Sequence, residues 1–403
     1  MLSLCGALTR LLLYDFVIPS IPELTIFMKE QDDSTNELFA KLRSKMSIRT
    51  RARKPFSMKF EWTHTFGREY EESFEPLCNS PHDVTISYNH SYILISHLDN
   101  HRIQVFDLHS KLLLTWFGME FPLGLCIEEN YDGSNHDAVI CASGNYGQRK
   151  IRKFDMKWVD EMVMDGSYTV STYISNPSSQ QPTPQPTTPS MLPVATTSSN
   201  VMIQELTPHI WMSSCYFSDP QGIAMRGKQI FVCDADAECI KILHADTGNL
   251  VEMITLENGP YDLDFTPDGK YLLVCETGYS ANRIVMLTLQ HDHTPADDNF
   301  SMRNVKSVDE KWKMVKSFGK RGLASGEFSW CRSLVIDPVS KHVIVSDCLN
   351  NNVQIFTFEG KYVQSFGDRG IFQFNHPYGI CLNQVSSELL VCDFRNQRVA
   401  VFK

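Results

Sequence analysis

The sequence predicts an all-β chain: a six-bladed β-propeller of four-stranded blades, preceded by a helical and basic N-terminal extension. Three observations predict it. A unit of turn, β-rich run, polar loop and second β-rich run recurs six times, spaced by roughly 40–50 residues where nothing interrupts it. The runs are short and rich in Val, Ile, Leu and Phe, as strands are. The last unit stops one strand short, and the residues just before the first unit match the missing piece.

Bulk composition permits this fold. The chain has 403 residues, 42% hydrophobic and 21% charged, which are globular values. No apolar run has the length of a membrane span: Leu2–Ser20 comes nearest, and Arg10, Asp15 and Pro19 break it. Its internal charges also make it a poor secretory signal. The 12 cysteines lie far apart, without CxxC or metal-type spacing, and are expected as free thiols in the cytosol or nucleus. Net charge is −10, unevenly spread: residues 1–58 hold 9 Lys/Arg against 6 Asp/Glu, leaving 28 against 41 for the rest. An acidic main body disfavours phosphate-backbone binding as its principal role.

Each unit opens on a turn, often Pro-x-Gly: SPHDV (80–84), FPLGL (121–125), DPQGI (219–223), GPYDL (259–263), WCRSL (330–334) and HPYGI (376–380). The second runs end in a small residue and often an acid: ILISH (93–97), AVICAS (138–143), IFVCD (230–234), LLVCE (272–276), VIVSD (343–347) and LLVCD (389–393). Cys233, Cys275 and Cys392 share one place with Ser346, so that place reads as a small buried strand position. The third runs are RIQVF, KIRKF, CIKIL, RIVML, VQIF and RVAVF, and the fourth end near Phe-Gly in LLTWFG, MVKSFG and YVQSFG. Four strands per unit cannot bury both faces of one sheet; packing units in a ring does.

These residues resemble NHL repeats, whose theme is Pro-x-Gly-Ile, a strand ending near Asp, an Asn-rich loop, then Arg-Ile/Val-x-x-Phe. The resemblance spans roughly residues 60–403 and implies a TolB-like six-bladed propeller that binds proteins without catalysis. It also implies a scaffold or ubiquitin-ligase setting, although residues 1–58 carry no RING or B-box pattern of Cys/His ligands.

Two units are interrupted between strands three and four. One insertion (164–208) is rich in Ser, Thr, Pro and Gln and is expected to be disordered; the other covers 290–310. In an up-and-down blade both hang from one face, which leaves the face of the 2–3 and inter-blade loops short-looped and available. Within 1–58, Leu2 to Leu13 suggest an apolar helix and Asn36–Met46 a polar one. KLRSKMSIRTRARK (41–54) carries seven basic residues and reads as a solvated arm, a nuclear-import or anionic-surface patch, or a mitochondrial presequence. The expected location is cytoplasmic, or nuclear through that stretch.

No GxxxxGK[ST] or HExxH is present, and no cofactor is expected. Acids ending the second runs (Asp234, Glu276, Asp347, Asp393, with His97 in the first unit) could ring a channel, as in metal-dependent lactonase- or lyase-type propellers. The plainer reading is that they accept hydrogen bonds from their own turns. The Arg opening strand three (Arg102, Arg283, Arg398) is expected to be structural. The densest aromatic and Arg group on the short-loop face combines Phe328, Trp330, Arg332, Phe372, Phe374, His376, Tyr378 and Arg395. The Phe residues are assigned to inter-blade packing. Trp330, Arg332, His376, Tyr378 and Arg395, with Asn352, Asn145 and Tyr279 from the 2–3 loops, are the candidate partner-binding residues of a monomeric propeller. The same residue types could stack single-stranded RNA, which is the alternative.

The last unit ends at RVAVFK, while KFEWTHTFG (59–67) matches YVQSFG and MVKSFG. Residues 59–66 are therefore expected to supply strand four of the final blade and so close the ring.

Overall fold

The computed structural model describes residues 54–66, 78–117, 119–164, 169–171, 209–279, 281–291, 310–370 and 372–403. The helices expected before residue 54 lie outside these, as do 172–208 and 292–309. β1 (Trp62–Phe66) precedes the first complete blade, made of β2 (Pro81–Ser87), β3 (Tyr92–His97), β4 (Arg102–Asp107) and β5 (Leu112–Phe117). Blade 2 holds β6 (Leu125–Glu128), β7 (Ala138–Ser143) and β8 (Lys150–Asp155). After α1 (Met156–Met164) and β9 (Thr169–Ser171) it ends with β10 (His209–Met212). Blade 3 is β11 (Pro220–Arg226), β12 (Gln229–Asp234), β13 (Cys239–His244) and β14 (Leu250–Thr255). Blade 4 is β15 (Gly259–Phe265), β16 (Tyr271–Thr277), β17 (Asn282–His291) and β18 (Glu310–Phe318). Blade 5 is β19 (Cys331–Ile336), β20 (Val343–Asp347), β21 (Asn352–Phe356) and β22 (Tyr362–Phe366). Blade 6 is β23 (Pro377–Asn383), β24 (Glu388–Asp393) and β25 (Arg398–Phe402), completed by β1. The first strands β2, β6, β11, β15, β19 and β23 touch in that order, and β23 returns to β2. The chain is thus a six-bladed propeller.

Position within a blade dictates the sequence pattern. Middle strands are covered on both faces by neighbouring blades, so β7 (AVICAS), β20 (VIVSD) and β25 (RVAVF) are buried throughout and read as continuous apolar runs. Outer strands face water, and β14 (LVEMIT) buries only Ile254. The strand-ending Phe-Gly pairs have a steric cause. Gly367 sits at φ +97°, which disfavours an L side chain, and a Cβ there would overlap the Phe374 ring from the next turn. Phe328 and Phe374 are buried between blades, as expected.

The ring closes as predicted. β1 pairs antiparallel with β25, from Trp62 opposite Phe402 to Phe66 opposite Val399. Glu61 and Lys403 exchange both backbone hydrogen bonds at 2.9 Å. Packing against the propeller begins before residue 59. The Phe56 N–H donates to Asp337 of blade 5 at 3.0 Å, and Phe56 is only 4% exposed. Phe60 stacks on Phe366 at 4.2 Å between ring centroids. Residues 54–60 thus strap blade 6 to blade 5 on the face opposite the short loops.

The insertions leave from that same face. Strand pairing between β17 and β18 continues to His291 opposite Glu310, so the second insertion is narrower than 290–310. In the first, α1 begins where Asp155 accepts the Lys157 N–H at 2.9 Å, a helix cap, and it packs Met156 and Val159 against blade 1. β9 then pairs parallel with β5, so blade 1 gains a fifth strand that the repeat pattern did not foretell.

Truncating Phe56 to Ala should cost about 3–5 kcal/mol, as for buried aromatic residues generally. Deleting residues 54–66 should abolish a cooperative transition. Urea unfolding checks both; a deletion that melts like the parent would refute the closure.

Candidate functional site

In five blades the middle residue of the opening turn reaches the top of the central channel, on the short-loop face. In chain order these are His82, Gln221, Tyr261 and Arg332, with Tyr378 against Arg332; the equivalent Leu123 is instead buried in the core between blades 2 and 3. Arg332 is the centre of this collar. Its Nη2 donates to His82 Nε2 and to Gln221 Oε1, both at 2.8 Å. Its guanidinium lies 4.3 Å from the Tyr378 ring centroid and 4.9 Å from that of Tyr261. Tyr261 in turn meets Trp330 edge-on at 5.4 Å, and Tyr378 stacks on Phe394 at 4.3 Å. Arg332 makes no ion pair with any carboxylate among the described residues. Burial, and then the charges of Arg332 and Arg149, push the His82 pKa well below its usual value, so the ring is neutral. An arginine donor on Nε2 requires the proton to sit on Nδ1.

The next residue of each turn packs against the neighbouring blade. The six are Asp83, Gly124, Gly222, Asp262, Ser333 and Gly379. A Cβ on Gly222 or Gly379 would overlap Asp262 or Asp83, so glycine here makes room for the next blade's carboxylate. Asp83 accepts the Leu125 N–H at 2.8 Å, tying blade 1 to blade 2. Asp262 accepts the Ser333 hydroxyl at 2.6 Å and the Leu334 N–H at 2.9 Å, tying blade 4 to blade 5. Ser333 Oγ accepts the Ile380 N–H at 3.2 Å, and so reaches blade 6. One level deeper, Asp264 accepts the Ile336 N–H at 2.9 Å. Below the collar the channel opens to about 400 Å³ between these first strands. Burial raises all three carboxyls: Asp83 to about 8, helped by nearby Asp262, Asp264 to about 7 and Asp262 to about 6.

The acids of the second strands stand elsewhere. Asp234 accepts the Ser218 and Asp219 N–H groups, Glu276 those of Glu257 and Asn258, Asp347 those of Ser329 and Trp330, and Asp393 that of Asn375. They accept backbone amides, as expected, from the inter-blade segment ahead of their own blade, and Asp347 and Asp393 also accept the Asn350 and Asn396 side-chain amides of the 2–3 loops. Strand-three cations complete them: Lys241 on Asp234, Arg283 on Glu276 and Arg398 on Asp393. Arg283 and Arg398 are thereby structural, as expected. The position before these acids also acquires a role. Ser96 Oγ donates to the Leu123 carbonyl and Ser346 Oγ to that of Tyr378, both 2.7 Å away in the next blade. Cys233, Cys275 and Cys392 fill the same place, buried and free.

The predicted site residues all fall on this face, but they do not form one cluster. Arg332 and Tyr378 touch, and Trp330 joins them through Tyr261. Arg395 is exposed beside His376, and it acts second to burial in holding the His376 pKa low. Tyr279 is 98% exposed, and its carbonyl accepts from Arg321 at 2.9 Å. Asn352 opens β21 rather than a loop tip. Asn145 is across the mouth on blade 2, donating to Glu120 at 2.9 Å. His82, Gln221 and Tyr261 were missed. Their signal was their shared place in the repeat, between Pro and the Gly, Asp or Ser that follows.

No family model matches the chain, and no curated protein matches it. Among solved structures, it is similar to the β-propeller domain of Cps50 (Swd1) from Myceliophteria thermophila. That likeness has 11% identity, covers 85% of this chain and 99% of the other, and has a TM-score of 0.49. A chain of the mitotic checkpoint complex is similar at 12% identity over 79% and 73% of the two chains, TM-score 0.45. The computationally designed Ika8 protein is similar at 11% identity over 80% and 70%, TM-score 0.38. At these scores the likenesses carry no function across. The propeller stands on its own strand order.

The channel carboxyls make a signed prediction. A folded-state pKa raised above the unfolded value means that the native state keeps a proton the unfolded chain has lost. Stability from Asp83 is thus full below about pH 4 and falls as pH rises through about 8. Asp83→Asn removes that slope. Relative to the parent, its melting temperature should rise between pH 5 and pH 8.5, whatever the offset at pH 5. A difference that stays constant over that range would overturn the assignment.

Proposed function

We propose that the chain is an NHL-type propeller serving as a protein-binding module, with the short-loop face as its docking surface. The observation that carries this reading is the pair of guanidinium groups, Arg332 and Arg395, without ion-pair partners among the described residues. Arg332 lies against Tyr378, with Trp330 joined through Tyr261, while Arg395 and Tyr279 are exposed on the same face. Such Arg, Trp and Tyr groups are the usual anchors of protein interfaces. The rim also carries the acids Glu120, Asp236 and Glu238 on blades 2 and 3 and the exposed cations Lys320, Arg321 and Arg369 on the loops leading into blades 5 and 6. Mixed sign around one mouth suits a protein surface better than the uniform charge of RNA. The setting that fits is a monomeric scaffold or substrate-recognition subunit, in a ubiquitin-ligase assembly of the cytoplasm or nucleus. Among the described residues no helix is long and apolar enough to cross a membrane.

Affinity purification with the parent and with the triple variant Trp330→Ala, Tyr279→Ala, Arg395→Ala tests the reading. The parent should retain specific proteins that the triple variant loses by about tenfold or more, with an unchanged melting curve. Undiminished retention would move the docking surface elsewhere. Tight, steeply salt-dependent binding of single-stranded RNA in a shift assay would favour RNA instead.

A further inference from the structure

The face opposite the short loops holds the wide end of the channel, and the chain joins the propeller there. The Lys54 N–H donates to the Gln384 carbonyl at 3.4 Å. Gln384 lines the channel at its rim, with Glu129, Pro267 and Pro338 from the equivalent turns of blades 2, 4 and 5. Inside the rim, one residue from each first strand faces the cavity of about 400 Å³: Thr85, Cys126, Ala224, Asp264, Val335 and Cys381. Five of these are short and neutral, so the ring encloses space rather than filling it. Asp264 is its one acid. It accepts the Ile336 N–H at 2.9 Å, and no cation among the described residues acts on it. Arg332 acts from the collar on Asp83 and Asp262 but not on Asp264. The cavity is lined by Asp83, Glu129, Asp262 and Asp264, and by no Lys, Arg or His among the described residues.

We propose that the basic stretch just before the strap docks in this end of the channel, with an arginine of residues 49–53 reaching Asp264. Where the chain leaves the propeller chooses the occupant. Lys54 is held at the rim, and residues 48–53 read IRTRAR, so Arg53, Arg51 and Arg49 lie one, three and five residues from the anchor. Five residues span at most about 18 Å, and Asp264, three residues above Pro267, lies about 10 Å into the channel. The arginines therefore reach it, and the tether holds them near the mouth at a roughly millimolar effective concentration. Charge and shape agree with this. A guanidinium offers several donors to a carboxylate, sheds water more readily than an ammonium, and lays its methylenes along an apolar wall. The wall here is apolar, with Leu263, Val335 and Ile380 beside the ring. The site is independent of the short-loop face and leaves it open.

Alkylation of the two channel thiols tests this on the full chain. Cys126 and Cys381 line the cavity, near Asp83 and Asp264, and both are free. Peptide mass spectrometry follows their reaction with iodoacetamide, a small neutral reagent. In the parent the docked arm shields them. The triple variant Arg49→Gln, Arg51→Gln, Arg53→Gln should react about tenfold faster at both thiols. Cys215, which does not line the channel, should keep its rate. Asp264→Asn should release the arm and give the same acceleration, and combining it with the triple change should add little. Equal rates at Cys126 and Cys381 in parent and variants would overturn the proposal. So would a matching acceleration at Cys215 and at the buried Cys233, which marks a loosened fold rather than an emptied channel. Agmatine, a small guanidinium compound, supplies the last comparison. It should slow labelling of the triple variant only; if it protects the parent as strongly, the channel takes free cations and not the chain's own arm.

Discussion

β1 and β25 come from opposite ends of the propeller and share one antiparallel ladder. Without it, blade 6 would expose the edge of β25, and blades 1 and 6 would be held only by their faces. The entropic cost of joining distant segments grows slowly with their separation, so a long loop is tolerable. The strap of residues 54–60 reinforces the joint, placing Phe56 and Phe60 against the aromatic cluster of Phe366, Phe374 and Phe402. The apparent missing strand and the early apolar strap are thus two parts of one clasp.

A closed ring turns a repeated local motif into a site. The opening turns occupy equivalent places, so copies set around an axis bring equivalent residues of five blades to one mouth. The third position of each turn locks blades together through Asp83, Asp262 and Ser333, or leaves space for such a lock through Gly222 and Gly379, while Gly124 makes room for the Gln221 carbonyl. The second position is free of that duty. It carries a cation in one blade only, and the ring sets that cation against Tyr261, Tyr378, His82 and Gln221 from four other blades. The same geometry fixes charge states: enclosure by six strands keeps His82 neutral and lets the channel carboxyls hold protons near neutral pH.

Most of the fold was legible because periodicity and burial agree. Middle strands sandwiched between blades must be apolar on both faces, and outer strands must not be, so a run such as VIVSD beside LVEMIT declares its place. The small residue before each acid was legible for the same reason. β9 was not, since three residues pairing with a neighbouring blade leave no pattern of their own. The site was half legible. Arg332, Trp330 and Tyr378 stood out as residue types, but His82, Gln221 and Tyr261 are ordinary choices for a turn. Asn145 donates to Glu120 on blade 2 and Asn352 opens a strand, placements that residue type alone did not give.

The sequence by itself determined the six units, their strand order, the closure by a strand within residues 59–66 and the backbone-capping role of the second-strand acids. Each follows from local pattern: period, alternation, turn chemistry or the match of one strand to another. Only the tertiary structure decided which residues meet. Arg332 and its four collar partners lie far apart in the chain, and proximity across a ring depends on the axis to which all the blades refer. No window of sequence contains that axis.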